Sequence, residues 1–149
     1  MFYYVRYFYY IYTMKHIQLY EDFLNESSAY KNLNKFLSTT LRKFSEGYSS
    51  IFTSNTLSGN KLTGYINHHP GNGSYERKEV EKQLQDDKEQ VDKRLKLLAQ
   101  AIDEFNKENN TNLVYTYKLT NPKIEVAKYA GNTVYTSEAF YANVTITQK

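Results

Sequence analysis

Residues 75–108 read YERKEVEKQLQDDKEQVDKRLKLLAQAIDEFNKE, the longest run of helical periodicity in the chain. Four of its apolar residues recur at intervals of seven: Leu84, Val91, Leu98 and Phe105. Leu95 and Ile102 fill the alternate heptad position, so the apolar spacing is 4-3-4-3 from residue 91 onward. This periodicity predicts one long amphipathic helix over residues 75–108 that lies across a sheet.

The other positions of this helix are mostly charged. Carboxylates, among them Asp86, Asp87 and Glu89, alternate with lysines, and pairs such as Glu89–Lys93 stand four residues apart. This pattern is typical of a solvated helix face. No isolated pair of acids in an apolar setting is evident, as acid–base catalysis would require, so we predict no catalytic residue.

Two shorter helices are predicted in residues 14–47, before the long one. The first spans Met14 to Asn25, and Ser27 and Ser28 are candidate N-caps of the second. The second helix has an apolar stripe and a plausible stop at Gly47. The stripe consists of Tyr30, Leu33, Leu37, Leu41 and Phe44.

Strand patterns occupy two other parts of the chain. Residues 48–67 predict a hairpin with strands at 48–54 and 61–67, and residues 112–148 predict an antiparallel meander with a turn at Gly131-Asn132. Residues 68–73 consist of turn formers and predict a loop. The expected fold class is α+β, in a single domain: an antiparallel sheet packed against the long helix, plus two shorter N-terminal helices.

Composition excludes some classes of site. The 149 residues include no Cys, which removes disulfides, thiol catalysis and zinc sites built from cysteine. The net charge of +3 is too small to demand a polyanionic partner. We predict no cofactor.

Residues 1–13, MFYYVRYFYYIYT, are unusually aromatic. They lack the cleavage pattern of a secretory signal and are too short for a membrane span, so we expect no membrane association. Their residue types favour a β-strand, which would have to pair within a sheet or dock on a partner chain. The alternative is that residues 1–13 are a non-native prefix ahead of a start at Met14.

This aromatic segment is the candidate interaction surface. Tyrosines beside a basic residue can imitate the stacking sites of single-strand nucleic-acid binders, although basic residues are sparse here. A structural role for these tyrosines is favoured over a role in stacking on nucleic acid. The surface comprises Tyr3, Tyr4, Arg6, Tyr7, Tyr9, Tyr10 and Tyr12.

Two further motifs are candidate sites. His68-His69 could bind a metal or supply a base, but metal sites need three or four ligands and the only other histidine is His16. A solvated loop is therefore the favoured interpretation. The turn Gly71-Asn72-Gly73-Ser74 leads into a helix like an anion site but lacks the Walker and Rossmann patterns, so we expect a simple helix cap.

Residues 14–27 read MKHIQLYEDFLNES. This opening resembles the capsid-targeting peptides of small proteins from T4-like tailed phages, in which a protease cuts after a Glu preceded at short range by an apolar residue. Leu24-Asn25-Glu26 is similar to such a site. The 16 Tyr and many Asn and Lys are also typical of an AT-rich genome. The resemblance implies phage origin and virion association, with localisation in the virion or the host cytoplasm.

Three functional hypotheses follow. The first is a non-enzymatic, phage-encoded binding or structural protein whose partner is another protein chain, either a second copy or a host or virion protein. The second is a small inhibitor or adaptor that binds a host protein through a strand edge or the long helix. The third is a single-stranded nucleic-acid binder that uses the Tyr-rich segment.

Overall fold

The computed structural model describes residues 15–20, 28–44 and 50–149. Residues 15–20 are helical, and α1 runs through residues 28–44 with a π-helical turn at Leu37–Leu41. The long helix, α2, spans Arg77–Asn109. The strands are β1 (Ser54–Ser58), β2 (Lys61–Asn67), β3 (Gly71–Ser74), β4 (Leu113–Leu119), β5 (Ile124–Tyr129), β6 (Asn132–Glu138) and β7 (Tyr141–Gln148).

The strands form two antiparallel sheets. The larger has the order β1-β2-β7-β4 and the smaller the order β3-β6-β5. The chain passes between them four times: from β2 through His68-His69-Pro70 into β3, from β3 through α2 into β4, from β4 through residues 120–123 into β5, and from β6 through Ala139-Phe140 into β7. The predicted α+β class, with one long helix and shorter N-terminal helices, is confirmed.

Local hydrogen bonds set both ends of α2. Before its first turn, the Ser74 hydroxyl donates to Glu79 and accepts from the backbone N–H of Glu76, which satisfies groups left unpaired at a helix start. At the other end Asn110 adopts a left-handed conformation (φ 51°), and its N–H donates to the carbonyl of Asn106. The Asn106 side chain then accepts from the N–H of Leu113 at 2.8 Å, so the chain turns directly into β4.

The core lies between α2 and the inner face of the larger sheet. The predicted stripe of α2 is buried, from Leu84 to Phe105. It packs in one cluster with apolar side chains that alternate along the strands, as expected for a sheet with one covered face. The strand residues of this cluster are Leu62, Ile66, Leu113, Ala142, Val144 and Ile146.

The apolar stripe of α1 differs from the prediction. Leu33 and Leu41 are buried as expected, but Phe36 is fully buried whereas Tyr30 is 44% exposed. The buried stripe runs through Ala29, Leu33 and Phe36, which precede the π-helical turn, so it is displaced from the predicted line through Tyr30 and Leu37 rather than broken by the turn. Within this segment Thr39 donates to the carbonyl of Lys35 at 2.6 Å, a bond that competes with regular helical pairing.

Three strand predictions need correction. The first strand of the hairpin lies at Ser54–Ser58 rather than 48–54. The predicted loop at residues 68–73 includes the start of β3, which forms because it pairs with β6. The predicted meander over 112–148 is wrong in its connectivity, since β5 and β6 leave the sheet of β4 and β7 to join β3. The single-domain organisation stays a prediction.

Gly64 marks a close approach between β2 and Phe52. A Cβ at this position would lie 2.9 Å from Cδ1 of Phe52 and 2.9 Å from the carbonyl oxygen of Ser54. We expect Gly64→Ala to lower the free energy of unfolding by about 1–2 kcal/mol, because the buried ring must move. Urea unfolding followed by circular dichroism measures the effect. Gly73→Ala is the control, since its Cβ would meet Thr136 only at 3.8 Å. Equal stabilities of the two variants would contradict the expectation.

Among the described helices, none is long and apolar enough to cross a membrane.

Candidate functional site

The outer face of the larger sheet, on the side away from α2, is polar and is not covered by any other helix or strand of the described residues. Side chains alternate along each strand, so the residues next to the buried ones point outward. Strand register aligns them in rows across the sheet. From β1 to β4 the rows are Ser58, Lys61, Thr147 and Val114; Thr56, Thr63, Thr145 and Thr116; and Ser54, Tyr65, Asn143 and Lys118.

Two tyrosines form the aromatic centre of this outer face. The rings of Tyr65 and Tyr141 meet edge to face, with centroids 6.1 Å apart. Tyr65 is 42% exposed, so much of its ring is available to a ligand. Asn143 pairs with Tyr65 across the strands and is also exposed. The pair therefore offers a ring surface beside an amide that can both donate and accept hydrogen bonds.

The outer face contains two adjoining depressions. The first, of about 400 Å³, is lined by Tyr65, Asn67, Pro70, Ala139, Tyr141 and Asn143. The second, of about 330 Å³, lies over β1, β2 and β7 and includes Thr63 and Thr145 in its lining. Tyr65 and Asn143 line both depressions. They stand at the junction of the two hollows, where a ligand lying across the sheet would contact them.

The charge of the outer face is positive. Lys61 lies on β2, in the first of the three rows, and Lys118 lies on β4, in the third row. Within the four described strands, no outward-facing side chain is Asp or Glu. A polyanion would therefore meet hydroxyls, an amide and two ammonium groups with no repelling carboxylate on these strands.

A second cluster lies where the two sheets and α2 meet. Asp87 is fully buried, and its Oδ1 is 2.7 Å from Nδ1 of His69. Its Oδ2 accepts a hydrogen bond of 2.8 Å from Nδ2 of Asn72 in β3, and the same nitrogen lies 3.4 Å from Oγ of Ser137 in β6. Asp87 thus ties the helix to the loop after β2 and to the smaller sheet. We call Asp87, His68, His69 and Asn72 the junction cluster.

His68, the other histidine of the junction cluster, lies close to Asp86 and Asp87. Nε2 of His68 is 3.4 Å from Oδ2 of Asp86, and the two imidazole rings lie 4.2 Å apart. The ligating atoms of His68, His69 and Asp87 all lie within 4.8 Å of one another. Both rings contact carboxylates of α2 and also keep part of their surface exposed, so the pair is solvated in part, as expected, but is not free of the helix.

Sequence reasoning missed Asp87 because it was grouped with the solvated carboxylates. Its position nevertheless carried a signal: it lies three residues after Leu84 and four before Val91, on the buried stripe itself. Before residue 91 the alternate heptad position of Leu95 and Ile102 falls on Glu81 and Lys88, whereas the structure buries Val80 and Asp87. An acid on an apolar stripe is the pattern that identifies a buried polar site.

A third depression, of about 380 Å³, lies between α1 and α2. Nζ of Lys43 donates to Oε1 of Glu104 at 3.0 Å. This hydrogen bond, together with the negative charge of Glu104, raises the pKa of Lys43. Lys43 is well exposed, so the pair describes a solvated helix–helix contact.

Other predicted sites have different outcomes. The Tyr-rich surface from Tyr3 to Tyr12 lies outside the described residues, as do Met14 and Leu24-Asn25-Glu26. The predicted turn and cap at Gly71–Ser74 is instead strand β3; the N-cap of α2 is Glu76, whose backbone N–H donates to the Ser74 hydroxyl.

Comparison with known proteins finds no matching family model, no matching curated protein and no matching solved structure. The phage resemblance of residues 14–27 therefore stays a prediction.

Proposed function

We propose that this chain is a non-enzymatic binding protein whose outer sheet face binds single-stranded nucleic acid. The observation that supports the proposal best is the Tyr65–Asn143–Lys118 row. It combines an exposed ring, an amide and a cation on neighbouring strands, within a face whose strands present no carboxylate.

Stacking supplies the first part of the interaction. Unpaired bases stack on aromatic side chains, and four-stranded sheets can hold two or three bases in this way. Tyr65 is exposed enough to take one base, and Tyr141 fixes its ring edge to face. Asn143, beside the ring, can pair with the edge of the stacked base.

The hydroxyl row and the lysines supply the second part. Hydroxyls and ammonium groups contact the sugar and phosphate groups of a nucleic acid, which positions the strand without reading its sequence. The row Thr56–Thr63–Thr145–Thr116 runs beside the tyrosine row, across the full width of the sheet. We therefore expect binding with little sequence preference.

The proposal has the same ligand as the third hypothesis from the sequence, single-stranded nucleic acid, but assigns the binding to a different surface. Tyrosines of residues 3–12 were the expected stacking groups, whereas Tyr65 and Tyr141 are brought together by strand pairing between β2 and β7. No local motif identifies this pair, because 75 residues of sequence lie between the two tyrosines.

Fluorescence anisotropy of a labelled oligothymidylate, titrated with the full chain, tests the proposal. Tyr65→Ala is expected to weaken binding about 5- to 150-fold, the value of one lost base stack. Tyr65→Phe should bind nearly as well as the parent chain, since the ring is kept. Tyr129→Ala is the control, because Tyr129 is 74% exposed but lies in the smaller sheet.

Three outcomes would overturn the proposal. One is the absence of oligonucleotide binding. Another is equal binding by Tyr65→Ala and its parent together with a loss in a variant of Tyr3 and Tyr4, which would return the site to the N-terminal segment. The third is preference for an uncharged polysaccharide such as dextran, which would identify the outer face as a glycan platform.

Salt dependence gives a separate prediction for the two lysines. Each phosphate neutralised on a single strand contributes about −0.7 to the slope of log K against log salt. The double variant Lys61→Gln with Lys118→Gln should therefore flatten the slope by about 1.4. Lys93→Gln, an exposed lysine of α2, is the control and should leave the slope unchanged. An unchanged slope in the double variant would exclude these lysines from phosphate contact.

Virion association and binding to a host protein stay predictions from the sequence. Mass spectrometry of purified virions tests the first, and absence of the chain from them would reject it. A pull-down from host lysate that recovers no stoichiometric partner would count against the second.

A further inference from the structure

We propose that the junction cluster binds a divalent transition-metal ion of the zinc type through His68, His69 and Asp87. The inference is independent of the proposed function, because it concerns the α2 side of the loop after β2 rather than the outer sheet face. Two imidazole nitrogens and a carboxylate oxygen are a ligand set that such ions accept, whereas calcium and magnesium prefer oxygen alone.

The distances are close to those of a coordination site. A tetrahedral zinc ion with ligands at about 2.0–2.2 Å holds its ligand atoms about 3.3–3.5 Å from one another. The three candidate atoms already lie within 4.8 Å. The His69–Asp87 pair, at 2.7 Å, would open by about 0.6 Å as the ion replaces the proton that the two atoms share. In the bound state Nε2 of His69 carries the ring proton instead of Nδ1, so the ligand is a neutral imidazole.

The surroundings of Asp87 support a site rather than a chance contact. Its carboxylate is buried and held by Asn72 through Oδ2, so Oδ1 is directed towards the histidine. Ligating carboxylates are commonly oriented by such an outer hydrogen bond. The rings of His68 and His69 keep 29% and 45% of their side-chain surface exposed, which leaves a path for the ion.

A purely structural role is the competing explanation. In that case Asp87 would need only its hydrogen bonds to His69 and Asn72, and His68 would be dispensable. His68 therefore separates the two explanations, since it contacts Asp86 rather than the buried hydrogen bonds.

Calorimetric titration of the full chain with Zn²⁺ tests the proposal. We expect one equivalent to bind, with affinity at least tenfold weaker in His68→Gln and in Asp87→Asn. His16→Gln is the matched control, because His16 is the third histidine and lies outside the cluster. At equal Zn²⁺ concentration the unfolding temperature should rise as much in His16→Gln as in the parent, and less in His68→Gln.

His68→Gln keeps the Asp87–His69 contact, so it remains informative if Asp87→Asn does not fold. No binding of Zn²⁺ by the parent chain would overturn the proposal. Binding by His68→Gln as tight as that of the parent would overturn it as well.

Discussion

Replacing Phe105 with Ala should lower the free energy of unfolding by about 3–5 kcal/mol. Phe105 is fully buried near the C-terminal end of α2, and its ring meets that of Phe36 edge to face at 5.5 Å. The substitution removes a large apolar surface and leaves a cavity between two helices and the sheet. It also removes the edge-to-face contact with Phe36 that joins α1 to α2, which adds to the loss from the cavity.

Urea unfolding followed by circular dichroism measures this loss, since the chain has no Trp to report it. Leu97→Ala is the control on the same helix, because Leu97 is 37% exposed and should cost much less. A loss below about 1 kcal/mol for Phe105→Ala would contradict the packing of α1 on α2.

Asp87→Ala should lower the free energy of unfolding by about 2–4 kcal/mol, because two donors lose their acceptor. His69 and Asn72 both depend on this carboxylate, and they belong to the loop and strand that join the two sheets. The half-exposed His69 can regain water, which keeps the loss below that of a fully buried ion pair.

Asp86→Ala is the matched control for this substitution. Asp86 is the preceding residue on α2 and is 50% exposed, and its one described ion pair is with His68. We expect a change within about 0.5 kcal/mol. The same urea titration, without added metal, compares the two variants. Equal losses would show that Asp87 does not hold the sheet junction.

Periodicity predicted the long helix and its buried stripe because both depend on local spacing. Leu84, Val91, Leu98 and Phe105 are buried as their seven-residue repeat requires. The same spacing rule also places Asp87 on the buried stripe, although its side chain is polar. Its partners could not be found in this way, because His69 and Asn72 come from separate segments that only the folded sheets bring to the helix.

Strand assembly was predicted less well because pairing is decided at a distance. β3 has the sequence Gly-Asn-Gly-Ser, which favours turns, yet it forms a strand by pairing with β6. The outer-face site has the same origin: Tyr65 and Tyr141 acquire their contact only through the register of β2 and β7. Local pattern identified the regular strands such as β2, β4 and β7, but not β3, and the order of the strands in two sheets required the structure.

The outer face of the larger sheet is the surface that we propose binds nucleic acid. An amide chemical-shift titration of the ¹⁵N-labelled full chain with oligothymidylate tests this assignment residue by residue. We predict that the largest shifts fall on Thr63, Tyr65 and Asn143, with α2 and the β5–β6 hairpin nearly unchanged. Shifts concentrated on α2 or on the His68-His69 loop, or no shifts at all, would contradict the account.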